Sequence, residues 1–201
     1  MKKTLIPALL MGLFTSTTAV ANNMYGLLSA GYADAKQGQA GGKDVGYSFG
    51  MGYELHRQWV LEGGFQQLLD EQGDAPSLTN LGSEDSSSIK ADALYLALLG
   101  KASSQAGTLF YRVGVMSVKL ESQAVIAANQ SCERGDAIAL SIEGTAALSC
   151  ELDKTIVAGV VGLGFDFRLS DSLDLRIEAQ HVRGAEDFEA NIGQIGIRYN
   201  F

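Results

Sequence analysis

Val45-Gly46-Tyr47-Ser48-Phe49-Gly50-Met51-Gly52-Tyr53-Glu54-Leu55 alternates without a break. Val45, Tyr47, Phe49, Met51, Tyr53 and Leu55 fall on one face, and Gly46, Ser48, Gly50, Gly52 and Glu54 on the other. Period two with one apolar face is the signature of a β-strand. A helix would scatter the apolar residues around its circumference, and its glycines would weaken it further. A soluble sandwich uses the same alternation, so the number and layout of strands must decide the fold.

Comparable stretches recur at 24–35, 45–55, 59–69, 89–102, 108–120, 155–169, 173–183 and 190–201, which predicts eight strands. The stretch at 89–102 is apolar on both faces, so its register stays open. The connectors alternate in size: 36–44, a tight turn at 56–58, a long loop at 70–88, a short turn at 103–107, a very long loop at 121–154, a short turn at 170–172, and 184–190. Short periplasmic turns and longer extracellular loops are the asymmetry of an outer-membrane barrel, and an even strand count leaves both ends of the barrel on the periplasmic side. Outside the N-terminal segment, no stretch is apolar for the roughly 20 residues that a spanning helix requires; Ile156 to Phe165 is short and interrupted by Gly159, Gly162 and Gly164. A membrane crossing therefore requires a closed barrel.

Two hairpins predict their own register. Closure about Asp171 sets Phe167 against Leu175 and Phe165 against Ile177 on the outer face, with Asp166 against Arg176 and Arg168 against Asp174 on the inner face. A one-residue slip would turn the charges toward lipid, at a few kcal/mol each near the midplane. Closure about Arg57 likewise sets Leu55 beside Trp59, Tyr53 beside Leu61 and Phe49 beside Phe65, with aromatics at the two membrane interfaces.

The N-terminus carries Lys2 and Lys3, an apolar run from Leu5 to Phe14, and Ala19-Val20-Ala21, the layout of a secretory signal peptide cleaved after Ala21. The expected division is a leader at 1–21 and a barrel domain at 22–201. Losing two lysines and no acid takes the net charge from −8 to −10, and that balance argues against nucleic acid as a partner. Cys132 and Cys150 are an even count in a secreted chain and read as a disulfide. It closes a loop of roughly nineteen residues, worth ~3 kcal/mol in the chain-entropy model. Neither His56 nor His181 is near them in sequence, and no metal or cofactor is expected.

The chain ends Gln194-Ile195-Gly196-Ile197-Arg198-Tyr199-Asn200-Phe201. An alternating apolar strand with aromatics at the last and third-last positions is unusual at a soluble terminus, which ordinarily frays. Gln194, Gly196, Tyr199 and Phe201 resemble the C-terminal β-signal of outer-membrane barrels. With the leader and eight strands, the chain resembles the small OmpA/OmpX-like superfamily of porin-family outer-membrane β-barrel proteins. The resemblance implies an all-β, eight-stranded, antiparallel up-and-down transmembrane barrel in the cell outer membrane of a Gram-negative bacterium. It implies outer-membrane lipids, lipopolysaccharide and the barrel-insertion machinery as partners. The peptidoglycan-binding domain of longer OmpA relatives is not expected after Phe201.

The inward set is expected to include Glu54, Glu62, Arg112, Asp166, Arg168, Asp174, Arg176, Glu178 and Arg198. Eight strands enclose a bore that side chains fill, so these charges read as a salt-bridge network, with a narrow conduit for ions or small solutes as the alternative. Some eight-stranded barrels resemble lipid A hydrolases, and His181, opposite Val161 near the outer rim, resembles the histidine of a lipid A deacylase. That family has a serine two residues later; here the position is Arg183, so the nucleophile is missing and no catalytic residue is assigned. Acids concentrate in the connectors: Asp70, Glu71, Asp74, Glu84 and Asp85, then Glu133, Asp136, Glu143, Glu151 and Asp153. Loops on a rigid scaffold commonly carry binding, so 121–154, with a hairpin including Ala137 to Ile142, is the expected contact for a host or other surface ligand.

Overall fold

The computed structural model describes residues 23–37, 40–71, 87–127, 132, 136–142, 145–185 and 187–201. The predicted leader at 1–21, most of the 70–88 connector, and Glu133 and Glu143 lie outside the described residues.

The strands are β1 (Met24–Gln37), β2 (Ala40–His56), β3 (Trp59–Glu71), β4 (Ser87–Ser103), β5 (Gly107–Ala127), β6 (Asp136–Ile142), β7 (Thr145–Arg168), β8 (Leu173–Gly184) and β9 (Phe188–Asn200). All described pairings are antiparallel. β1 joins β9 from Tyr25–Asn200 to Gln37–Phe188, and β5 joins β7 from Gly107–Phe167 to Ala127–Ala147. These two seams close eight strands into a barrel. β6 stands outside the ring, paired with the outer end of β7.

The β7–β8 register matches the charge-pairing expectation residue for residue, from Phe165–Ile177 to Arg168–Asp174. In the first hairpin Phe49–Phe65 and Tyr53–Leu61 also pair as expected, but Leu55 does not face Trp59. The register shifts between Glu54 and His56, so that His56 faces Trp59. Symmetric closure about Arg57 leaves a single residue between positions 56 and 58, too few for a hairpin turn. The bulge gives the two-residue connection that hairpins favour.

The strands run well past the predicted connectors. β7 has 24 residues and β5 has 21, whereas about ten cross a bilayer. Expected loops at 36–44 and 121–154 are therefore largely ladder. Their polarity is reversed relative to the spanning part. In the spanning part Leu28, Phe49, Leu96, Val113, Leu163 and Ile195 are exposed on the outside. Higher up, the outside carries Asp34, Lys43, Lys90, Lys119, Asp153 and Arg183, while Ala33, Leu68, Met116, Val118, Ile156 and Phe188 are buried inside. Above the lipid, water solvates the outer surface and the inner surface becomes the hydrophobic core, as in a soluble barrel.

Glycine makes room where rings lie across the ladder. Gly52 faces Tyr25, Gly64 faces Tyr95 and Gly164 faces Phe110, and a Cβ at any of the three would run into the partner's aromatic side chain. Gly196, in the β1–β9 seam, sits against Ser29 and the Leu28 carbonyl; Gly193, three residues away, has no atom within 4 Å of the corresponding position. Gly196→Ala is expected to lower barrel stability by about 1–3 kcal/mol through overpacking, and Gly193→Ala to stay within about 0.5 kcal/mol of wild type. Urea unfolding of the refolded protein in detergent or lipid measures both.

Candidate functional site

Strand alternation delivers one side chain in two to the bore, and the network grows from Glu62 on β3. Its carboxylate is completely buried and accepts from Arg112 of β5, from Arg176 Nη1 of β8 at 2.7 Å, from Tyr95 of β4 at 3.2 Å, and from the Tyr25 hydroxyl of β1. Arg112 also meets Glu178 through Nε at 2.6 Å. Arg176 forks onto Asp166, with Nε at 2.7 Å and Nη2 at 2.9 Å. Arg198 Nη1 reaches the same carboxylate at 2.8 Å. Three buried arginines thus face three buried carboxylates, Glu62, Asp166 and Glu178, so the bore is close to neutral at this level.

Aromatic faces support the guanidinium groups. Arg176 lies 4.3 Å from the Phe110 centroid, Arg198 3.9 Å from Tyr25 and Arg112 5.1 Å from Tyr95, the range of cation–π attraction. Toward the periplasmic end, Glu54 pairs with Lys101 and, at 3.3 Å, with Arg198. Asp174 accepts from Asn200 Nδ2 at 3.0 Å.

Eight of the nine residues expected in the bore meet in this one cluster. Arg168 does not: it is opposite Asp174 in the ladder, but the strand ends there and its side chain is exposed. Lys101, Tyr25, Tyr95 and Phe110 were not anticipated. Lys101 belongs to the stretch whose two faces are both apolar and give no register, whereas the three aromatics each face an inward glycine, a legible but indirect signal.

The C-terminal residues divide by face. Gln194 is buried and donates to Glu178 at 3.0 Å, and Gly196 lies in the seam described above. Tyr199 and Phe201 are outside, in edge-to-face contact at 5.4 Å. With Trp59 and Tyr111, 6.0 Å apart, they form the periplasmic aromatic girdle.

At the opposite end, Cys132 and Cys150 form a disulfide with their Cα atoms 5.6 Å apart. Cys150 faces Ala137 of β6 and Ala124 of β5, so the bridge ties the approach to β6 onto the tip of the barrel wall. Below it, Lys119 pairs with Glu121 and with Asp153 at 3.4 Å, and these hydrogen bonds raise its ammonium pKa above the ordinary lysine value. Asp34 and Lys43 pair at 3.1 Å. His181 is opposite Val161, on the outer face, with Nδ1 2.8 Å from Asn191 Oδ1. Among the described residues no three His, Cys, Asp or Glu side chains gather into a possible metal site.

A closed antiparallel barrel with an apolar outer belt, aromatic girdle and charged interior defines an outer-membrane β-barrel. The chain belongs to the outer membrane protein beta-barrel domain family, whose model matches residues 6–201, and its place is the cell outer membrane. Neisserial surface protein A is similar in structure, with TM-score 0.58 and 11% identity over 89% of this chain and 97% of that one. The N-terminal barrel of Pseudomonas aeruginosa OprF gives 0.55 and 10% over 90% and 98%. Ail, the attachment invasion locus protein of Yersinia pestis, gives 0.54 and 14% over 89% and 99%. At these identities the likeness is one of fold. No curated protein matches the sequence.

Glu62→Gln leaves two buried arginines short of charge and is expected to cost about 3–5 kcal/mol. Glu54→Gln, at the partly exposed periplasmic mouth, should cost at most about 1 kcal/mol. Equilibrium unfolding in lipid, paired with gel mobility of boiled and unboiled samples, measures the difference.

Proposed function

We propose that the protein is a surface-interaction barrel: the membrane-spanning part is a filled scaffold, and the extension of β5, β6 and β7 beyond the lipid makes the contact. The carrying observation is that extension, an ordered three-stranded sheet fastened by Cys132–Cys150 and standing on a wall whose outer face carries Lys119, Glu121 and Asp153. Order before binding reduces the entropy that a contact must overcome. Ail, alike in fold, has been crystallised with the heparin analogue sucrose octasulfate. Here the outer surface is rich in carboxylates, among them Asp70, Asp92, Glu121, Glu151 and Asp153, so a polyanion is a poor match. The fitting partners are uncharged or basic surfaces, or lipopolysaccharide phosphates bridged by divalent cations.

A conduit is disfavoured because the bore is occupied twice over. The charge network fills its middle, and above it Leu68, Met116, Val118, Ile156, Val160 and Phe188 pack with at most 3% exposure. An ion crossing that layer would lose its hydration without gaining ligands. A lipid A hydrolase is disfavoured by Arg183 where the serine is needed and by the engagement of His181 with Asn191.

The test compares wild type, Cys132→Ser/Cys150→Ser, and a variant with residues 123–150 replaced by a short Gly/Ser linker. All three should assemble and remain heat-modifiable, since the spanning ladder does not need the extension. Attachment of dispersed cells to lipopolysaccharide-coated or host-cell surfaces should weaken in the double-Ser variant, whose extension loses up to ~3 kcal/mol of ordering, and vanish in the linker variant. Undiminished attachment by the linker variant would overturn the proposal. Planar-bilayer recordings of wild type should be silent.

A further inference from the structure

β6 is an edge strand with few of the features that protect edges. Among the described residues it pairs along one side only, with β7, in an unbroken register from Asp136–Glu151 to Ile142–Thr145. Its sequence, Asp136-Ala137-Ile138-Ala139-Leu140-Ser141-Ile142, holds no proline and no lysine, and its one charge is at the end. Asp136, Ala137, Ile138, Ala139 and Ser141 are all exposed, Ile138 to 48%. Natural sheets blunt such edges with bulges, prolines or lysines, because unpaired N–H and C=O groups template another strand.

The ladder fixes which groups are unpaired. Ile142–Thr145 closes a two-residue connection and is therefore a hydrogen-bonded pair, so residues 138 and 140 also turn their amides toward β7. Residues 137, 139 and 141 turn theirs away. An antiparallel copy of β6 centred on Ala139 would face 139 with 139 and 137 with 141, and three donors and three acceptors on each strand would meet their complements. Each Asp136 would face Ile142, so no carboxylate meets another. In a chain of net charge −8, this strand offers a place where two copies can touch without bringing like charges together.

Direction decides where the second copy is. β7 descends toward the periplasmic turn and β6, antiparallel to it, rises away from the membrane. A strand antiparallel to β6 must descend, and an upright neighbour in the same membrane also presents a rising β6. The two-fold that pairs the edges inverts the membrane normal. We infer that β6 is a homotypic contact that joins this protein on one cell to a second copy on a facing cell by antiparallel edge pairing about Ala139. The inference rests on the surface-interaction reading and names the partner as a second copy of this chain.

The test displays full-length protein on two cell populations carrying different epitope tags. In a mixed suspension Ala139→Cys should give a covalent dimer containing both tags under mild oxidation. Ala137→Cys alone should give at least about tenfold less, because paired copies hold those positions four residues out of register, about 13 Å apart, beyond the ~7 Å limit for a disulfide. Ala137→Cys on one population and Ser141→Cys on the other should restore the mixed dimer. Ala139→Pro removes an amide that points away from β7, so it should abolish settling of the cells while heat-modifiability stays unchanged. Settling by Ala139→Pro as fast as wild type, or absence of the mixed-tag dimer, would overturn the inference. Attachment of dispersed single cells to other surfaces, measured on the same variants, reads the broader proposal separately, since it needs no second copy.

Discussion

In hydrocarbon a backbone amide has no water to turn to, and each unpaired group costs several kcal/mol. Closure of the ladder at the β1–β9 and β5–β7 seams is therefore the condition on which the other features depend. Closure fixes register, and register fixes which side chain enters the bore. Close approach in the β1–β9 seam explains why Gly196 is packed against Ser29 and the Leu28 carbonyl while Gly193, facing lipid, has open space. The same seam places Gln194 beside Glu178 and leaves Tyr199 and Phe201 at the interface, so the C-terminal strand helps to close the barrel and to anchor it.

Once closed, eight strands leave an interior narrow enough for side chains to fill. The charges there are useful only in combination. Glu62 alone would be prohibitive to bury; with Arg112, Arg176 and two tyrosine hydroxyls it becomes the point through which β1, β3, β4, β5 and β8 are cross-linked. Bidentate contact with Asp166 and the Phe110 ring hold Arg176 in a single orientation. Such a network rewards one register and penalises its neighbours, which is a stronger contribution to specificity than to net stability.

Where the wall leaves the lipid, its solvent changes and the pattern turns inside out. Charges move to the outer face, apolar residues move to the inner face, and the bore becomes an ordinary core. This inversion stops the polar interior from continuing to the outside and lets the wall rise as an ordered platform for β6. Scaffold and contact surface are thus two solvent regimes of the same strands.

Legible in the sequence were the strand number of the barrel, the inward and outward faces of its spanning strands other than β4, the β7–β8 register with its Asp166–Arg176 pair, and the interfacial aromatics of the last strand. Each is a local consequence of period-two alternation against a fixed apolar belt. The ends of the strands were not legible, because Glu121, Asp153 and Lys43 have the composition of loops when the belt is assumed to continue. Only the folded barrel shows that alternation persists there with the opposite sign. Nor could the sequence tell that Arg168 leaves the bore while Lys101 enters it, since one depends on where a strand stops and the other on the register of a strand apolar on both faces. The convergence on Glu62 from four other strands was likewise decided by closure alone, which brings together residues as far apart as 62 and 176 through no local signal.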